Sequence, residues 1–171
     1  MITLENENPD PQQPTSLVIT PENQLITIGW REWVRLPELG ISWIKAKVDS
    51  GAKTSALHAF SLERVREQGR DRVRFGLHPL QRNLIKVVQC TSDLLDMRWV
   101  SDSSGHREYR YVIQTPIKLG EEQWPIEITL SNRDTMLFRM LLGRTALRDR
   151  FRINPAASYR AGKPKFKPKS K

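Results

Sequence analysis

The chain of 171 residues (19.9 kDa) contains 38% hydrophobic and 27% charged residues and carries a formal charge of +9. Its length suffices for one domain with a core and flanking tails, and it is too short for two ordinary domains. It has no run of about 18 uncharged apolar residues, so the sequence excludes a transmembrane helix. The basic balance fits nucleic acid, an acidic peptide or an anionic surface as a partner.

Both ends of the chain differ in composition from its centre. Residues 1–24 are acidic and rich in proline, and residues 160–171 are of low complexity and contain six basic residues. We therefore expect a disordered leader over 1–24, one domain over 25–159 and a basic disordered tail over 160–171. The leader lacks the basic and apolar segments of a secretory signal, and the lone Cys90 cannot form an internal disulfide. These features predict a cytoplasmic protein in which Cys90 is a small core residue.

The first part of the central region predicts a β-hairpin. Residues 27–36 and 41–48 are rich in Trp, Ile and Val, and a turn signal at 37–40 separates them. In the second strand, Lys45 and Lys47 share one face. The opposite face of that strand carries the apolar residues Ile44, Ala46 and Val48.

The rest of the central region also predicts short strands. We expect residues 58–66 to pair with 72–77 across a turn at 68–71, with Val73, Phe75 and Leu77 on one face. The further predicted pairs are 84–90 with 97–100, and 109–118 with 124–130. A last strand with alternating Met136, Phe138, Met140 and Leu142 ends at Gly143, and one or two helical turns follow. Regularly spaced short strands with little helix predict an all-β fold, a closed or partly closed β-barrel with a short C-terminal helix.

The most informative motif is Asp49-Ser50-Gly51-Ala52, which follows the apolar end of a predicted strand. From average amino-acid frequencies, Asp-[Ser/Thr]-Gly-[Ala/Ser] occurs by chance in roughly 1% of chains of this length. Without a second feature, the motif describes an ordinary turn in which the Asp side chain caps its own backbone.

The second feature is an apolar run that ends in Gly143-Arg144, roughly 90 residues downstream. Together the two segments resemble the retropepsin-like aspartic peptidases, in which a D-[ST]-G-A loop and a late apolar-Gly-Arg segment pack against each other beneath the active site. The resemblance implies that Asp49 is the catalytic residue. It also implies that the catalytic loop is supported by Ser50, Gly51, Ala52, Gly143 and Arg144.

The resemblance is closest over residues 29–59, 124–133 and 136–147. These stretches are similar to the bacterial family named ATP-dependent zinc proteases, which belongs to the retropepsin-like superfamily and often accompanies ATP-grasp peptide ligases. The similarity extends over roughly residues 30–155. It implies a retropepsin-like closed β-barrel, the acid protease fold.

The sequence departs from the family pattern at two positions. Many retropepsins have an Asp two residues after the motif alanine, where it is available to pair with the later Arg, and this chain has Thr54 there. The resemblance therefore leaves Arg144 without its usual partner. Ser50 stands where the bacterial family commonly has Thr, and both residues carry a hydroxyl.

The implied chemistry requires two carboxylates. One carboxylate cannot both activate water and protonate a carbonyl, whereas two carboxylates about 3 Å apart share a proton and divide these roles. Since the chain has one such motif, we expect a homodimer with a shared site that contains two copies of Asp49. Gly51 lets the two loops approach without a Cβ clash, and the Ser50 hydroxyl can tie them together across the two-fold axis.

Other candidate residues lie near the motif. Lys53 and His58 follow it and are candidates for substrate binding, and His58 is alternatively a strand histidine bonded to the backbone. The three histidines and one cysteine form no zinc motif, and the sequence has no ATPase phosphate-binding loop. We therefore expect no metal site and no cofactor. Residues 102–106 predict a hairpin turn, which is a flap in a retropepsin-like barrel or a plain exposed loop.

The sequence thus predicts a cofactor-free aspartic endopeptidase that acts as a homodimer on peptide or protein substrates. The basic charge and the family's association with ATP-grasp ligases favour acidic or glutamate-rich tails as substrates. Two alternatives stay open: a non-catalytic basic β-barrel that binds RNA or an acidic protein, and a scaffold for an ATP-grasp ligase. The sequence has no recognisable RNA-binding signature, which disfavours nucleic acid as the partner.

Overall fold

The computed structural model describes residues 25–102, 104–132 and 137–165, and the predicted leader lies outside these ranges. The described residues form β-strands, one short 3-10 turn (Pro37–Leu39) and one single-turn helix, in agreement with the all-β prediction. The elements are β1 (Ile26–Gly29), β2 (Arg31–Leu36), β3 (Ile41–Asp49), β4 (Ser55–His58), β5 (Phe60–Glu67), β6 (Arg70–Leu77), β7 (Val88–Asp93), β8 (Asp96–Ser101), β9 (Arg107–Leu119), β10 (Glu122–Ser131), β11 (Met140–Gly143), α1 (Arg144–Leu147) and β12 (Phe151–Asn154).

The strands form three sheets that share one core. The largest sheet has seven strands in the order β10-β4-β11-β3-β2-β9-β8, and β10 also pairs with β9. The strands β5, β6 and β7 form an antiparallel sheet, and β1 pairs in parallel with β12. A single cluster of buried apolar side chains receives contributions from all three sheets and from α1. The described part of the chain is therefore organised around one hydrophobic core.

Three predicted hairpins are confirmed: β2 with β3, β5 with β6, and β9 with β10. Gly40 ends the turn between β2 and β3 with φ at 68°, where a side chain would be strained. The alternation predicted for β3 is also present, because Ile44 is fully buried, Lys45 is half-buried and Lys47 is exposed. The inner face of β3 therefore packs on the core, and its outer face carries the lysines.

The predicted pairing of residues 84–90 with 97–100 is wrong. In the structure β7 pairs with β6, and β8 pairs with β9. The side-chain oxygen of Asn83 accepts hydrogen bonds from the backbone N–H groups of Ile85 and Lys86. This local turn competes with strand formation, so the strand begins only at Val88.

The region around Gly143 also differs from the prediction. The strand before it begins at Met140, so Phe138 is buried but lies outside a strand, and Met136 lies outside the described residues. The helix that follows has a single turn, and the sequence pattern did not indicate β12 after it. Within the described ranges, no helix is long and apolar enough to cross a membrane.

Cys90 is a core residue, as predicted. Its side chain is 5% exposed and its Sγ donates a hydrogen bond to the carbonyl oxygen of Leu39 at 3.3 Å. Burial raises the pKa of the Cys90 thiol to about 11, because the thiolate would lose its hydration. The thiol therefore stays neutral and unreactive at physiological pH.

A buried carboxylate, which sequence reasoning missed, joins the two ends of the described chain. Glu32 on β2 is fully buried. Its Oε1 accepts hydrogen bonds from the backbone N–H groups of Gly29 at 2.7 Å and Arg160 at 2.9 Å, and its Oε2 accepts one from Ala161 at 3.1 Å. Pro164 is also buried. The first residues of the predicted tail thus contact the folded domain.

Candidate active site

The two segments of the sequence motif meet where two neighbouring strands in the middle of the seven-stranded sheet end. β3 and β11 pair in parallel, and their last residues, Asp49 and Gly143, lie opposite each other. β4, which begins at Ser55 after the loop, pairs antiparallel with β11. The carboxyl ends of parallel strands lie at the same sheet edge, which explains why segments so distant in sequence become neighbours.

The carboxylate of Asp49 caps the loop that follows it. Its Oδ1 accepts hydrogen bonds from the backbone N–H groups of Gly51 and Ala52, both at 3.2 Å. The N–H of Ala52 also bonds the carbonyl oxygen of Asp49 at 3.2 Å. Both side-chain bonds use one oxygen, so the carboxylate is oriented while Oδ2 takes no part in the turn. The residue is half-buried at the strand edge.

Gly143 is required at its position by close packing. A Cβ built there would lie 2.5 Å from the carbonyl carbon of Thr54 and 2.8 Å from the backbone nitrogen of Ser55. Its backbone N–H donates a buried hydrogen bond to the Ser55 hydroxyl at 3.1 Å. Any side chain at this position would push the segment away from the loop.

Arg144 and Thr145 bind the far side of the same loop. The backbone N–H of Arg144 donates to the carbonyl oxygen of Ala52 at 2.8 Å, and its guanidinium Nη1 donates to that of Gly51 at 3.1 Å. The backbone N–H and hydroxyl of Thr145 both donate to the carbonyl oxygen of Lys53, at 3.1 Å and 2.9 Å. The partner of Arg144, which the sequence left open, is therefore a backbone carbonyl.

Ser50, Gly51 and Lys53 form the exposed tip of the loop. A Cβ built on Gly51 would lie 3.3 Å from the Oδ1 of Asp49. Apart from the residues next to Gly51 in the chain, no other described atom lies within 4 Å of it. The tip thus faces away from the rest of its own chain.

His58 does not lie on the exposed side of the site. It ends β4, is 2% exposed, and its backbone N–H donates to the carbonyl oxygen of Arg139 at 2.8 Å. The prediction that His58 lines the cleft is therefore corrected. The residue is a buried strand histidine, the alternative that the sequence left open.

An open depression of about 390 Å³ adjoins the site. Lys47 and Leu141 lie opposite each other two residues before Asp49 and Gly143, and thus on the same face of the sheet. The depression is lined by Trp30, Lys47, Leu137, Phe138 and Leu141. Its walls are mainly apolar, with one ammonium group at the side that leads to Asp49.

The predicted hairpin turn at 102–106 connects β8 and β9. The Oδ1 of Asp102 accepts hydrogen bonds from the backbone N–H groups of Ser104 and His106, and Ser103 lies outside the described residues. Trp99 and Tyr109 form an exposed ring pair on this hairpin, with centroids 5.2 Å apart. A role for the hairpin as a flap stays a prediction.

In the described ranges, no group of three or more His, Cys, Asp or Glu side chains is placed to hold a metal ion. His58 is buried in β4, and the ring of His78 stacks on Phe60 at a centroid distance of 4.7 Å. His106 lies in the turn before β9. Among the described residues, the candidate site combines the Asp49 carboxylate with backbone groups and with the side chains of Ser55, Arg144 and Thr145.

Two side chains that hold the loop were not singled out from the sequence, Ser55 and Thr145. Both are hydroxyl residues at the start of an element, a position where such side chains often bond nearby backbone groups. Their partners here are roughly 90 residues away in sequence. A hydroxyl residue at the start of an element is recognisable from the sequence, but bonding partners this far away along the chain are not.

Residues 27–164 match the model of the RimB-like family, described as the retropepsin-like aspartic endopeptidase RimB. The chain belongs to this family. The resemblance inferred from the motifs around Asp49 and Gly143 is thereby confirmed, and the match includes every residue of the candidate site.

Relatives of this RimB-like chain include longer proteins named probable alpha-L-glutamate ligase. The one from Desulfotalea psychrophila is 50% identical over 135 residues, which cover 79% of this chain and 29% of the relative. The one from Parasynechococcus marenigrum is 47% identical over 137 residues, with coverage of 80% and 29%. The RimB-like chain thus spans less than a third of the length of these relatives.

A solved structure with a similar fold is that of a protein of unknown function from Legionella pneumophila. It has a TM-score of 0.66 and 25% sequence identity, and the match covers 80% of this chain and 98% of that chain. Nearly all of the Legionella protein therefore corresponds to the RimB-like domain.

Proposed function

We propose that this chain is an aspartic endopeptidase that acts as a homodimer, with Asp49 of each subunit in one shared site. The observation that carries the proposal is the geometry of the loop, which fixes one oxygen of an Asp49 carboxylate at an accessible sheet edge. Membership of a family described as aspartic endopeptidases supports it. The proposal includes a closed retropepsin-like barrel, supported by the pairing of β10 with both β4 and β9. It also includes a cytoplasmic location, where the free Cys90 stays reduced.

In the proposed mechanism, a water molecule between the two Asp49 carboxylates attacks the carbon of the scissile amide. One carboxylate is ionised and takes a proton from the water, while the other is protonated and donates a hydrogen bond to the carbonyl oxygen. The tetrahedral intermediate collapses when a proton passes to the amide nitrogen and the C–N bond breaks. Two carboxylates about 3 Å apart share one proton because both cannot be ionised at that distance.

The dimer follows from the proposed mechanism and from the exposed loop tip. The described chain contributes one Asp49, and the mechanism needs two carboxylates. Ser50 and Gly51 are exposed, so two tips can meet across a two-fold axis without displacing the chain's own side chains. The Ser50 hydroxyl is then available to donate to the backbone of the partner loop.

We further propose glutamate-rich protein tails as the substrates. The relatives that contain a similar segment are named as ligases of alpha-L-glutamate. A peptidase that removes glutamates catalyses the hydrolytic counterpart of the reaction by which a ligase adds them. The chain also carries a net charge of +9, which attracts an acidic substrate over distances of about a Debye length.

The substitution Asp49→Asn tests the peptidase proposal. Asparagine keeps an Oδ1 that can accept the N–H groups of Gly51 and Ala52, so the loop should fold normally. We expect hydrolysis of a glutamate-rich peptide to fall by roughly a thousandfold or more. A matched control is Asp93→Asn, which neutralises an exposed carboxylate of β7 in the other sheet. Equal hydrolysis by wild type and Asp49→Asn would refute the proposal.

A second candidate is a non-catalytic module that binds or positions a glutamate ligase. The observation in its favour is that similar segments occur inside proteins named as ligases. In that case the chain with Asp49→Asn would still bind a ligase. It would also change the rate of that ligase as much as the wild-type chain does. Mixing wild-type and Asp49→Asn chains with an alpha-L-glutamate ligase, and measuring both glutamate addition and its reversal, separates the two candidates.

A further inference from the structure

The outer face of the β2–β3 hairpin carries a row of cations that leads to Asp49. On β3, residues 43, 45, 47 and 49 alternate with the buried side chains of the inner face. On β2, Arg31 lies opposite Lys47, and Trp33 lies opposite Lys45. We call Arg31, Arg35, Lys45 and Lys47 the basic face.

Aromatic rings hold three of these cations in place. The guanidinium of Arg35 lies 4.0 Å from the ring centroid of Trp43, and that of Arg31 lies 4.5 Å from Trp30. The ammonium of Lys45 lies 5.1 Å from the ring of Trp33. The ring centroid of Tyr159 lies near a cation of each strand, 5.0 Å from the guanidinium of Arg31 on β2 and 5.9 Å from the ammonium of Lys45 on β3. These cation–π contacts orient the side chains without neutralising their charge.

The four cations of the basic face have no acidic partners among the described residues. None of the ion pairs in these ranges involves Arg31, Arg35, Lys45 or Lys47. The pairs that occur lie on other strands, for example Arg64 with Asp71 on β5 and β6, and Arg98 with Glu127 on β8 and β10. The cations of these pairs are compensated locally, whereas the basic face places four cations without an ion pair in the described ranges in one row on one hairpin. This local concentration of positive charge favours an anionic ligand.

The spacing of the row fits an extended peptide. Successive outward side chains of a strand lie about 6.6 Å apart, so Lys47 and Lys45 lie roughly 7 and 13 Å from Asp49 along β3. An extended glutamate chain repeats its carboxylates on one side with the same period. The apolar side chain of Leu141 beside Lys47 can contact the methylene groups of a glutamate side chain.

We propose that the basic face is an exosite that binds the glutamate side chains of an extended acidic peptide, on one side of the bond to be cleaved. This inference rests on the proposed function and adds to it the residues that select the substrate. A nucleic acid is a poorer ligand for this face, because single-stranded bases bind by stacking on open aromatic rings. Here Trp33 is 7% exposed, and the rings of Trp30 and Trp43 are covered by guanidinium groups.

Direct binding to the full chain with the substitution Asp49→Asn tests the exosite without cleavage. The probes are fluorescein-labelled oligo-glutamate and oligo-glutamine peptides of about ten residues, which span roughly 33 Å when extended. Replacing Arg35 and Lys45 together by Gln should weaken oligo-glutamate binding about tenfold and reduce its salt dependence. Replacing Arg66 and Arg70 of the other sheet by Gln removes the same charge and should change the dissociation constant less than twofold.

A charge-conserving variant separates charge from folding. Arg35→Lys with Lys45→Arg should retain oligo-glutamate binding within about threefold, and thermal unfolding shows whether each variant is folded. Equal weakening by the two Gln pairs would overturn the exosite, because net charge alone would explain the binding. Tighter binding of an oligouridine than of oligo-glutamate, with the same loss on replacing Arg35 and Lys45, would overturn it in favour of a nucleic-acid surface.

Hydrolysis by the chains with native Asp49 distinguishes failure of the exosite from failure of the proposed function. If wild type cleaves, and replacing Arg35 and Lys45 by Gln raises the KM for a glutamate-rich peptide about tenfold, both the exosite and the peptidase proposal stand. If wild type cleaves and the KM does not change, the exosite fails alone. If no chain cleaves and binding still depends on Arg35 and Lys45, the peptidase proposal fails and the anionic-peptide site stands.

Discussion

The buried carboxylate of Glu32 is expected to be one of the main determinants of stability. It accepts hydrogen bonds from the backbone N–H groups of Gly29, Arg160 and Ala161, which lie in the first strand and in the last described segment. The segment it holds also includes Tyr159, whose ring lies beside Arg31 and Lys45 of the basic face. Two substitutions, Glu32→Gln and Glu32→Ala, separate the loss of one acceptor from the loss of all three.

The expected magnitudes follow from these three bonds. A hydrogen bond to a charged group contributes about 1.5–3 kcal/mol net. Glutamine has one acceptor oxygen and one donor amide, so at least one of the three N–H groups loses its acceptor, and we expect a cost of about 2 kcal/mol. Alanine removes all the acceptors and leaves a cavity that water can partly fill, so we expect about 4 kcal/mol. For a chain of this size these costs correspond to decreases in Tm of about 4–8 °C and 8–16 °C.

Thermal and urea unfolding of the two variants measure these costs directly. Deleting residues 160–171 removes two of the donors and the buried Pro164, so it should also destabilise the protein, whereas deleting 166–171 should change stability little. If the whole segment 160–171 were a disordered tail, as the sequence predicts, the longer deletion would leave folding nearly unchanged. A decrease of less than about 1 kcal/mol for Glu32→Ala would refute the reasoning, since three buried N–H groups without acceptors cannot cost so little.

Four other predictions concern the candidate site. Sedimentation should show a dimer at concentrations where peptide is cleaved, and a cleaving monomer would contradict the shared Asp49 site. Hydrolysis should survive a metal chelator, and stoichiometric zinc with sub-micromolar affinity would contradict metal independence. Gly143→Ala should cost about 2–3 kcal/mol in urea unfolding and lower kcat, because its Cβ would lie 2.5 Å from the Thr54 carbonyl carbon; wild-type values would show that the loop tolerates the displacement. Lys53→Glu should slow turnover of glutamate-rich peptides more than of neutral ones at low salt, and equal effects at all salt concentrations would exclude charge steering.

The parts of the fold that were predicted from sequence depend on local signals. The hairpin of β2 and β3 is indicated by apolar strands on either side of a turn that ends at Gly40 with positive φ. The β9–β10 hairpin has the same kind of signal at Gly120. In contrast, β12 has four residues, and three of them, Arg152, Ile153 and Asn154, are exposed. It forms because β1 lies beside it, a contact between residues more than a hundred positions apart.

The candidate site shows the same division between local and distant contacts. Asp49 and Gly51 are identifiable because the chemistry of the loop lies in consecutive residues. Glu32 is not identifiable from the sequence, because a lone glutamate in a strand is usually a surface residue. Its role as an acceptor depends on Arg160 and Ala161, which are distant in sequence and pack beside it only in the folded chain. The pairing of β7 with β6 was missed for a related reason: the turn at Asn83 is local, but its effect on strand choice depends on where β6 lies.

The contacts of Arg144 explain how the loop is held without the Asp that many retropepsins have at the position of Thr54. The guanidinium bonds the carbonyl oxygen of Gly51, whose N–H bonds the Oδ1 of Asp49. The same peptide segment is thus held from both sides, by an anion at the N–H of Gly51 and by a cation at its C=O, and each bond polarises the groups next to it. An Asp at position 54 would compete with Gly51 for the guanidinium and bring a second negative charge close to Asp49. With Thr54 the guanidinium of Arg144 stays directed at the loop, where it bonds the carbonyl oxygen of Gly51.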